Sequence, residues 1–484
     1  MKTKHICHVI GLLLAKVLSS HAQTPPTITQ QPTNRTSSLG SSILKFTTAL
    51  LLTVATTASA QTFTLLHSFA SGAGPYPVGS LILSNATLYG MTLSGVFKMN
   101  TNGSGYTNLH SFGGFAGNAA GPHAALTLSG TNLYGMTVEG GAGVGVAFRV
   151  STNGIGYTAL HYFNSRETNG ASPYGSLTLA NGALYGTTHH GGTNNLGTLF
   201  RMDSDGGGYT SLHAFAGGTN DGANPFGDLT LSGTNFYGTT SQGGAAGLGV
   251  VFRMNTNGTG YTNLHSFTGY PNEGAGPPGS LTLDGSTLYG MTQEGGPNSA
   301  RLGVVFKMNT DGSGYTNLHF FAGGTGDGAT PMGSLTLANG WLYGMTSVGG
   351  ASNKGTVFRV STDGRSYTNF HSFAGGTNDG ATAYGSLMLS GSTLYGVTYY
   401  GGTNNYGVVF TLSNLPPEPP TSLTIKYLNQ QAIVSWPTSV LGWTLQTNNN
   451  LATGTWGNYS GPIISNTVTN SPTQGNLFFR LWHP

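Results

Sequence analysis

The sequence predicts an all-β protein: a seven-bladed β-propeller of four-stranded antiparallel blades, followed by a small C-terminal β-sandwich. Three observations predict it. The 484 residues include 79 glycines and only 6% charged side chains, a composition that suits many short strands joined by tight turns. Three landmarks recur seven times at a period of about 52 residues, the signature of a repeat architecture. No long stretch shows the 3.6-residue apolar period of a helix, whereas Thr, Tyr, Phe and Val favour strands.

The landmarks are a histidine in LHSF-type segments (His67, His110, His161, His213, His265, His319, His371), a tyrosine in LYG-type segments (Tyr89, Tyr134, Tyr185, Tyr237, Tyr289, Tyr343, Tyr395) and a phenylalanine in VF-type segments (Phe97, Phe148, Phe200, Phe252, Phe306, Phe358, Phe410). One unit reads as four strands: GSLTL (279–283), TLYGMT (287–292), GVVFKMN (303–309) and YTNLHFF (315–321). Asp-Gly and Asn-Gly pairs mark the hairpin turns between them. Four antiparallel strands per repeat make one propeller blade.

The order of the chain predicts how the ring closes. The repeats open on a lone fourth strand, 62–69, and end after a third strand, 408–412, so the last blade lacks the strand that the first residues have to spare. Pairing the two ends would remove the free edges of an open array. An open β-solenoid is the alternative. The spacing from the VF-type Phe to the next LHSF-type His is 13 residues throughout, while the loop from Tyr to Phe runs from 8 residues (Tyr89 to Phe97) to 17 (Tyr289 to Phe306). Length freedom is confined to the loop between the second and third strands.

The ends of the chain read differently. Residues 1–60 form an export region with two signal-like segments, 1–22 and 43–60, and Ala58-Ser59-Ala60 offers a cleavage site just before Gln61. An uncleaved anchor is the alternative for the second segment. Residues 61–413 form the ring, 414–420 (NLPPEPP) a Pro-rich linker, and 421–484 the C-terminal module, which holds Trp436, Trp443, Trp456 and Trp482. Those tryptophans suit a packed core, or an aromatic sugar-binding platform. A secreted or cell-surface location follows from the export signals, with no membrane span after cleavage. Beyond residue 60 there are 12 basic and 14 acidic side chains and no basic run, which argues against nucleic acid as a partner. The single cysteine, Cys7, lies in the export region, so the folded part would have no disulfide. A monomer without cofactor is expected.

The unit LYGTTHHGGTNNLGTLFRMDSDGGGYTSLHAFAGGTNDGANPFGDLTL resembles the Gloeo/Verruco (GloVer) tandem repeat of exported bacterial proteins, over residues 61 to 412. The strand order, with Gly-Gly after the second strand, resembles kelch blades more distantly, and the C-terminal module resembles a fibronectin-type-III-like domain. The GloVer resemblance implies export and a repeat architecture and brings no catalytic residues. Unlike anchored members, the chain ends FFRLWHP.

Residues common to every blade are expected to serve the scaffold. Seven equivalent histidines lie one per blade around a ring and do not converge, so each is expected to bond across strands or to a neighbouring loop. The LYG tyrosines should pack between blades, each following glycine permitting close approach. Residues that differ between blades are the functional candidates. Strands two and four end on one face, so the loops between strands two and three and between blades share a rim. The candidates there are Glu139, His189, His190, Gln242, Glu294, Tyr399 and Tyr400 after the YGxT motif, and Asp221, Asp327 and Asp379 in the blade-to-blade loops, with Arg166, Glu167 and Glu273 beside them. Adjacent strand residues point to opposite faces, which argues against His189 and His190 sharing a metal. The three aspartates sit in turn-forming N-D-G and G-D-G contexts without a carboxylate cluster for calcium. No metal site and no catalytic residue is assigned; G-x-S-x-G, H-E-x-x-H and phosphate-loop motifs do not occur. The expected function is that of an exported, non-catalytic module that contacts a glycan or protein through this rim. The alternatives are a polysaccharide-active enzyme using rim carboxylates, which would need a pair roughly 5 to 10 Å apart, and a purely structural extracellular repeat.

Overall fold

A computed structural model describes residues 61–71, 74–113, 119–141, 143–164, 169–297 and 302–413, together with the strands at 424–428, 431–435, 444–448, 457–458, 467–470 and 478–482. The export region, the linker, Arg166, Glu167 and the side chains of the four C-terminal tryptophans lie outside the described residues.

Seven four-stranded antiparallel blades form a ring: 77–111, 119–162, 170–214, 222–266, 274–320, 328–372 and 380–413, the last completed by Thr62–Ser68. The seventh sheet runs Thr62–Ser68, Val408–Ser413, Thr393–Thr398, Met388–Ser390, with Thr62 opposite Ser413 and Ser68 opposite Val408. The residues at the start of the repeats therefore supply the outer strand of the last blade. The ring is a closed propeller and the open solenoid is excluded.

The glycine of each LYG segment explains how the second and third strands fit. In register it faces the VF-type Phe, and a Cβ on Gly186 would lie 2.8 Å from the Phe200 Cζ. Only a residue without a side chain leaves room for that ring. The Phe is buried in every blade. The LYG tyrosines do pack between blades: Tyr134 and Met136 of the second blade share one apolar cluster with Leu177, Leu184, Phe200 and Met202 of the third. At the closing seam, Phe69, Tyr395, Val397 and Val409 join Leu81, Leu88 and Phe97 of the first blade.

The first strand departs from expectation. GSLTL at 279–283 contributes only Thr282–Asp284 to the ladder. Its Gly-Ser half turns to the ring axis, where neighbouring blades touch backbone to backbone: a Cβ on Gly227 would meet Gly279 C at 2.5 Å, and one on Gly385 would overlap Gly79 O. The following residue forms a circular relay. Ser386 N donates to Ser80 Oγ (3.0 Å), Ser334 N to Ser386 Oγ (2.7 Å), Ser280 N to Ser334 Oγ (2.8 Å) and Asp228 N to Ser280 Oγ (2.7 Å). Ser176 N then donates to Asp228 Oδ1, and Ala125 N to Ser176 Oγ (2.9 Å). The relay lacks one link, because Ala125 offers Ser80 no side-chain acceptor.

On the outside, a bulge in the third-to-fourth strand ladder of every blade shifts register at the residue before the repeated histidine, such as Leu109 before His110. Bulges re-aim side chains, and here the histidine turns toward the next blade. Each of the seven imidazoles stacks face to face on an aromatic ring of that blade, at 3.8 to 4.2 Å between centroids. The partner is a tyrosine six times (Tyr106, Tyr157, Tyr209, Tyr261, Tyr315, Tyr367) and Phe63 where the sixth blade meets the seventh.

The described C-terminal strands form two three-stranded antiparallel sheets, one of Thr424–Leu428, Gln431–Ser435 and Thr467–Asn470, the other of Gly457–Asn458, Thr444–Asn448 and Phe478–Trp482. Val434 and Leu445 are buried.

Candidate functional site

The two variable loop sets do meet on one face, through a feature that periodicity alone does not reveal. In six blades the segment entering the blade pairs with the residues just after YGxT: Ala120 with Glu139, Ala171 with His190, Ala223 with Gln242, Ala275 with Glu294, Ala329 with Val348 and Ala381 with Tyr400. The YGxT threonine, fully buried, fixes the same residue again: its Oγ1 donates to the carbonyl of Glu139 (2.8 Å), His190 (2.9 Å), Gln242 (2.7 Å), Glu294 (2.9 Å), Val348 (2.9 Å) or Tyr400 (2.7 Å). The backbone is thus held identically around the rim while the side chain varies, and Glu139, His190, Gln242, Glu294 and Tyr400 are exposed.

A second fixed point lies in the entering segment. Tyr76, Gly121, Ser172, Asn224, Gly276, Thr330 and Thr382 all have positive φ, between 51° and 62°. Only two are glycine, and a β-branched residue here is strained, by roughly 1 to 2 kcal/mol. Backbone bonds hold it there: Thr382 N donates to Lys354 O of the preceding blade (2.8 Å), and Tyr399 N donates to Thr382 O (2.9 Å). The rim backbone is therefore held in the same, partly strained conformation from blade to blade, which persists only where the surrounding structure over-determines it.

Asp221, Asp327 and Asp379 are engaged within the scaffold: each sits eight residues after a repeated histidine and closes a local network. His213 Nε2 lies 3.1 Å from both Asp221 oxygens, which also accept from Ala216 N (2.8 Å) and Gly222 N (2.7 Å). Asp327 repeats this with His319, Ala322 and Gly328, and Asp379 with His371, Ala374 and Gly380. Glu273 accepts from His265 (2.6 Å) and Thr268 N (2.7 Å), and Asn169 takes the position opposite His161 (3.1 Å). Burial works to raise the Asp221, Glu273 and Asp327 pKa values, but the histidine and amide bonds outweigh it and hold all three below the ordinary carboxylate range. The spacing of eight residues between histidine and acid was the available signal.

His189 and His190 also depart from expectation. Their rings meet at 4.5 Å, edge to face, because the chain bends at His189 between the second strand and the short rim ladder. His189 Nδ1 lies 3.3 Å from Pro225 O. Burial, then the neighbouring His190, lowers its pKa to about 4, so the ring is neutral near pH 7. Among the described residues no group of three or more His, Cys, Asp and Glu is arranged to hold a metal ion.

Aromatic side chains gather on this face in two arcs. One joins His123, Tyr174, His189, His190 and Phe226, with Tyr174 stacked on Phe226 at 4.6 Å. The other joins Tyr76, Tyr384, Tyr399, Tyr400 and Tyr406 at the closing seam, with Tyr76 stacked on Tyr399 at 4.8 Å.

The model of the Gloeobacter/Verrucomicrobia repeat matches residues 52–235 and 218–410. The chain belongs to this repeat family. No match is found among curated proteins. Among solved structures, this Gloeobacter/Verrucomicrobia repeat protein is similar to the extracellular domain of a one-component system from B. thetaiotaomicron, at 12% identity over 86% of this chain and 54% of that one, with a TM-score of 0.47. It is similar to an oligogalacturonate lyase from Vibrio parahaemolyticus at 11% identity over 73% and 97% of the two chains, with a TM-score of 0.45. For TolB from Acinetobacter baumannii the identity is 14% over 61% and 62%, with a TM-score of 0.35. Likenesses this distant carry nothing about ligand or reaction.

Proposed function

We propose that this protein is an exported binding module that contacts a glycan or a protein through the loop-bearing rim of its propeller. The observation that carries this reading is the pairing of a fixed rim backbone with variable side chains. Six buried threonines and six short ladders hold one position per blade in the same pose, and that position carries Glu, His, Gln, Glu, Val and Tyr in turn. A scaffold has no need of that variation, whereas recognition uses a rigid frame that presents different side chains. Asp221, Glu273, Asp327 and Asp379 already serve as acceptors for histidines, which leaves Glu139 and Glu294 as the exposed acids among the rim candidates.

The test compares faces. His190→Ala with Tyr400→Ala removes two exposed rim side chains, and Asp311→Ala with Asp363→Ala alters the turns between third and fourth strands on the opposite side. Binding of the secreted protein to envelope fractions and to a glycan array is expected to fall at least tenfold in the first variant and to stay within threefold in the second. The reverse pattern would place the functional face on the other side of the ring.

A further inference from the structure

Five tyrosines meet where the seventh blade closes on the first, at five different positions of the repeat. Each position has five or six counterparts around the ring, the short loop of the first blade lacking one, and these serve as an internal control for what the scaffold requires. At the position of Tyr384 the other blades carry Val78, His123, Tyr174, Phe226, Pro278 and Met332; at that of Tyr399 they carry Leu93, Val138, His189, Ser241, Gln293 and Ser347. At that of Tyr400, Ser94, Gln242 and Val348 are tolerated; at that of Tyr76, Gly121 and Thr330; at that of Tyr406, Leu196 and Lys354. The fold is satisfied without a phenol at any of the five, yet this seam has one at all of them. Tyr76 is placed there in spite of a φ of 62°.

The cluster is compact and partly open to solvent. Tyr399 lies at its centre, 4.8 Å from Tyr76, 4.8 Å from Tyr400 and 5.3 Å from Tyr384, while Tyr406 meets Tyr76 edge-on at 5.4 Å. Tyr384 and Tyr400 are 40% and 38% exposed, among the largest apolar exposures of the described residues. Burial, then the neighbouring phenols Tyr400, Tyr76 and Tyr384, raise the Tyr399 pKa, and burial, then Tyr400, raises that of Tyr384. The carboxylate of Asp379 is turned away to His371 (2.9 Å), and the ammonium of Lys354 to Ala374 O (3.0 Å).

From this geometry we infer that the tyrosine cluster at the closing seam is a subsite for a neutral carbohydrate, gripped by stacking of pyranose faces on Tyr384 and Tyr400. The inference rests on the rim-binding reading and narrows it to a ligand class. Ring faces carry negative quadrupole density and suit the polarised C–H face of a sugar, and phenol hydroxyls suit its hydroxyls. An anionic polymer would face the electron-rich rings, with the neighbouring Lys354 ammonium already engaged by Ala374 O (3.0 Å).

The experiment is affinity electrophoresis and calorimetry of the full chain against soluble mixed-linkage β-glucan, xylan, galactomannan and dextran, with polygalacturonate as the anionic probe. At least one neutral polysaccharide should bind, and Tyr384→Ala with Tyr400→Ala should weaken it tenfold or more. Tyr384→Phe with Tyr400→Phe, which keeps the stacking faces, should stay within threefold, as should His190→Ala in the other arc. Because Tyr384 and Tyr400 are exposed, all these variants should melt within about 2 °C of the parent. Loss of binding through His190→Ala alone, or binding of polygalacturonate in place of the neutral polymers, overturns the seam subsite and leaves the rim reading standing. Binding that falls only with Asp311→Ala and Asp363→Ala overturns both, and no binding to any of the polymers overturns the carbohydrate assignment.

Discussion

Phe63 is the place where the ring can be opened by one substitution. It takes the position that tyrosine occupies at the six other blade junctions, and it stacks on His371 at 4.2 Å and on Phe410 at 5.3 Å, with Phe373 edge-on at 6.4 Å. Truncating a fully buried phenylalanine costs about 3 to 5 kcal/mol; Phe63 is half-buried, so Phe63→Ala is expected to cost about 2 to 3 kcal/mol. Unfolding entropy of about 2.1 cal/mol/K per residue over roughly 350 residues gives about 0.7 kcal/mol/K, so the melting temperature should fall by about 3 to 4 °C. The location of the damage is more telling than its size. Residues 62–68 are joined to the third strand of the seventh blade by strand pairing and packing alone, whereas in every other blade the third and fourth strands are also joined by a turn of the continuous chain. Amide hydrogen exchange should therefore show lost protection at 408–413 in Phe63→Ala. Tyr261→Ala, which weakens an internal junction, should destabilise by at least as much and leave 408–413 protected. Unchanged exchange at 408–413 in the first variant, or equal loss in both, would refute the view that this strand is the closing one.

Ala125→Ser should supply the missing link of the axial relay by offering Ser80 N an acceptor, raising stability by about 1 kcal/mol in denaturant titration, while Ser386→Ala should lower it by a similar amount by removing the acceptor of Ser334 N. Acid should destabilise the ring in two stages. Burial lowers the His67, His110 and His161 pKa values below 6.5, so their contribution is complete above pH 6.5 and is lost as pH falls through the folded-state values. Asp221, Glu273 and Asp327 act in the same direction lower down: their contribution is complete above the unfolded values of 3.8 to 4.5 and is lost as pH falls through the depressed ones. Melting curves from pH 8 to pH 2 should show both steps, and Asp221→Asn with Asp327→Asn should flatten the second.

Most of the architecture was legible because it rests on residues with steric roles that repeat. The LYG glycine must face the VF phenylalanine, and a strand left over at one end must complete a blade short of one at the other. What escaped was the use of polar atoms whose partners lie far away in sequence. The serine of GSLTL looks like the start of an ordinary strand until the axis brings Ser386 to Ser80. The histidines and the acids eight residues later belong to different motifs of the repeat, though one bond joins them. The rim positions were found because they vary, but the seam cluster was not, since Tyr384 and Tyr406 lie in separate loops of the seventh blade and only ring closure brings Tyr76 against them.

The closing strand also sets a timetable. Residues 62–68 are made first among the ring residues, yet their partner strand, 408–413, is made last. While the six intervening blades are being synthesised and folding against one another, the first strand has no sheet to join, and the growing stack presents a raw edge at each end. Contacts this distant along the chain form slowly and leave such edges open to pairing with other molecules. The seam tyrosines come into being only at that final step, so a cell that made this protein incompletely would accumulate arcs of well-formed blades in which the proposed sugar subsite had never been assembled.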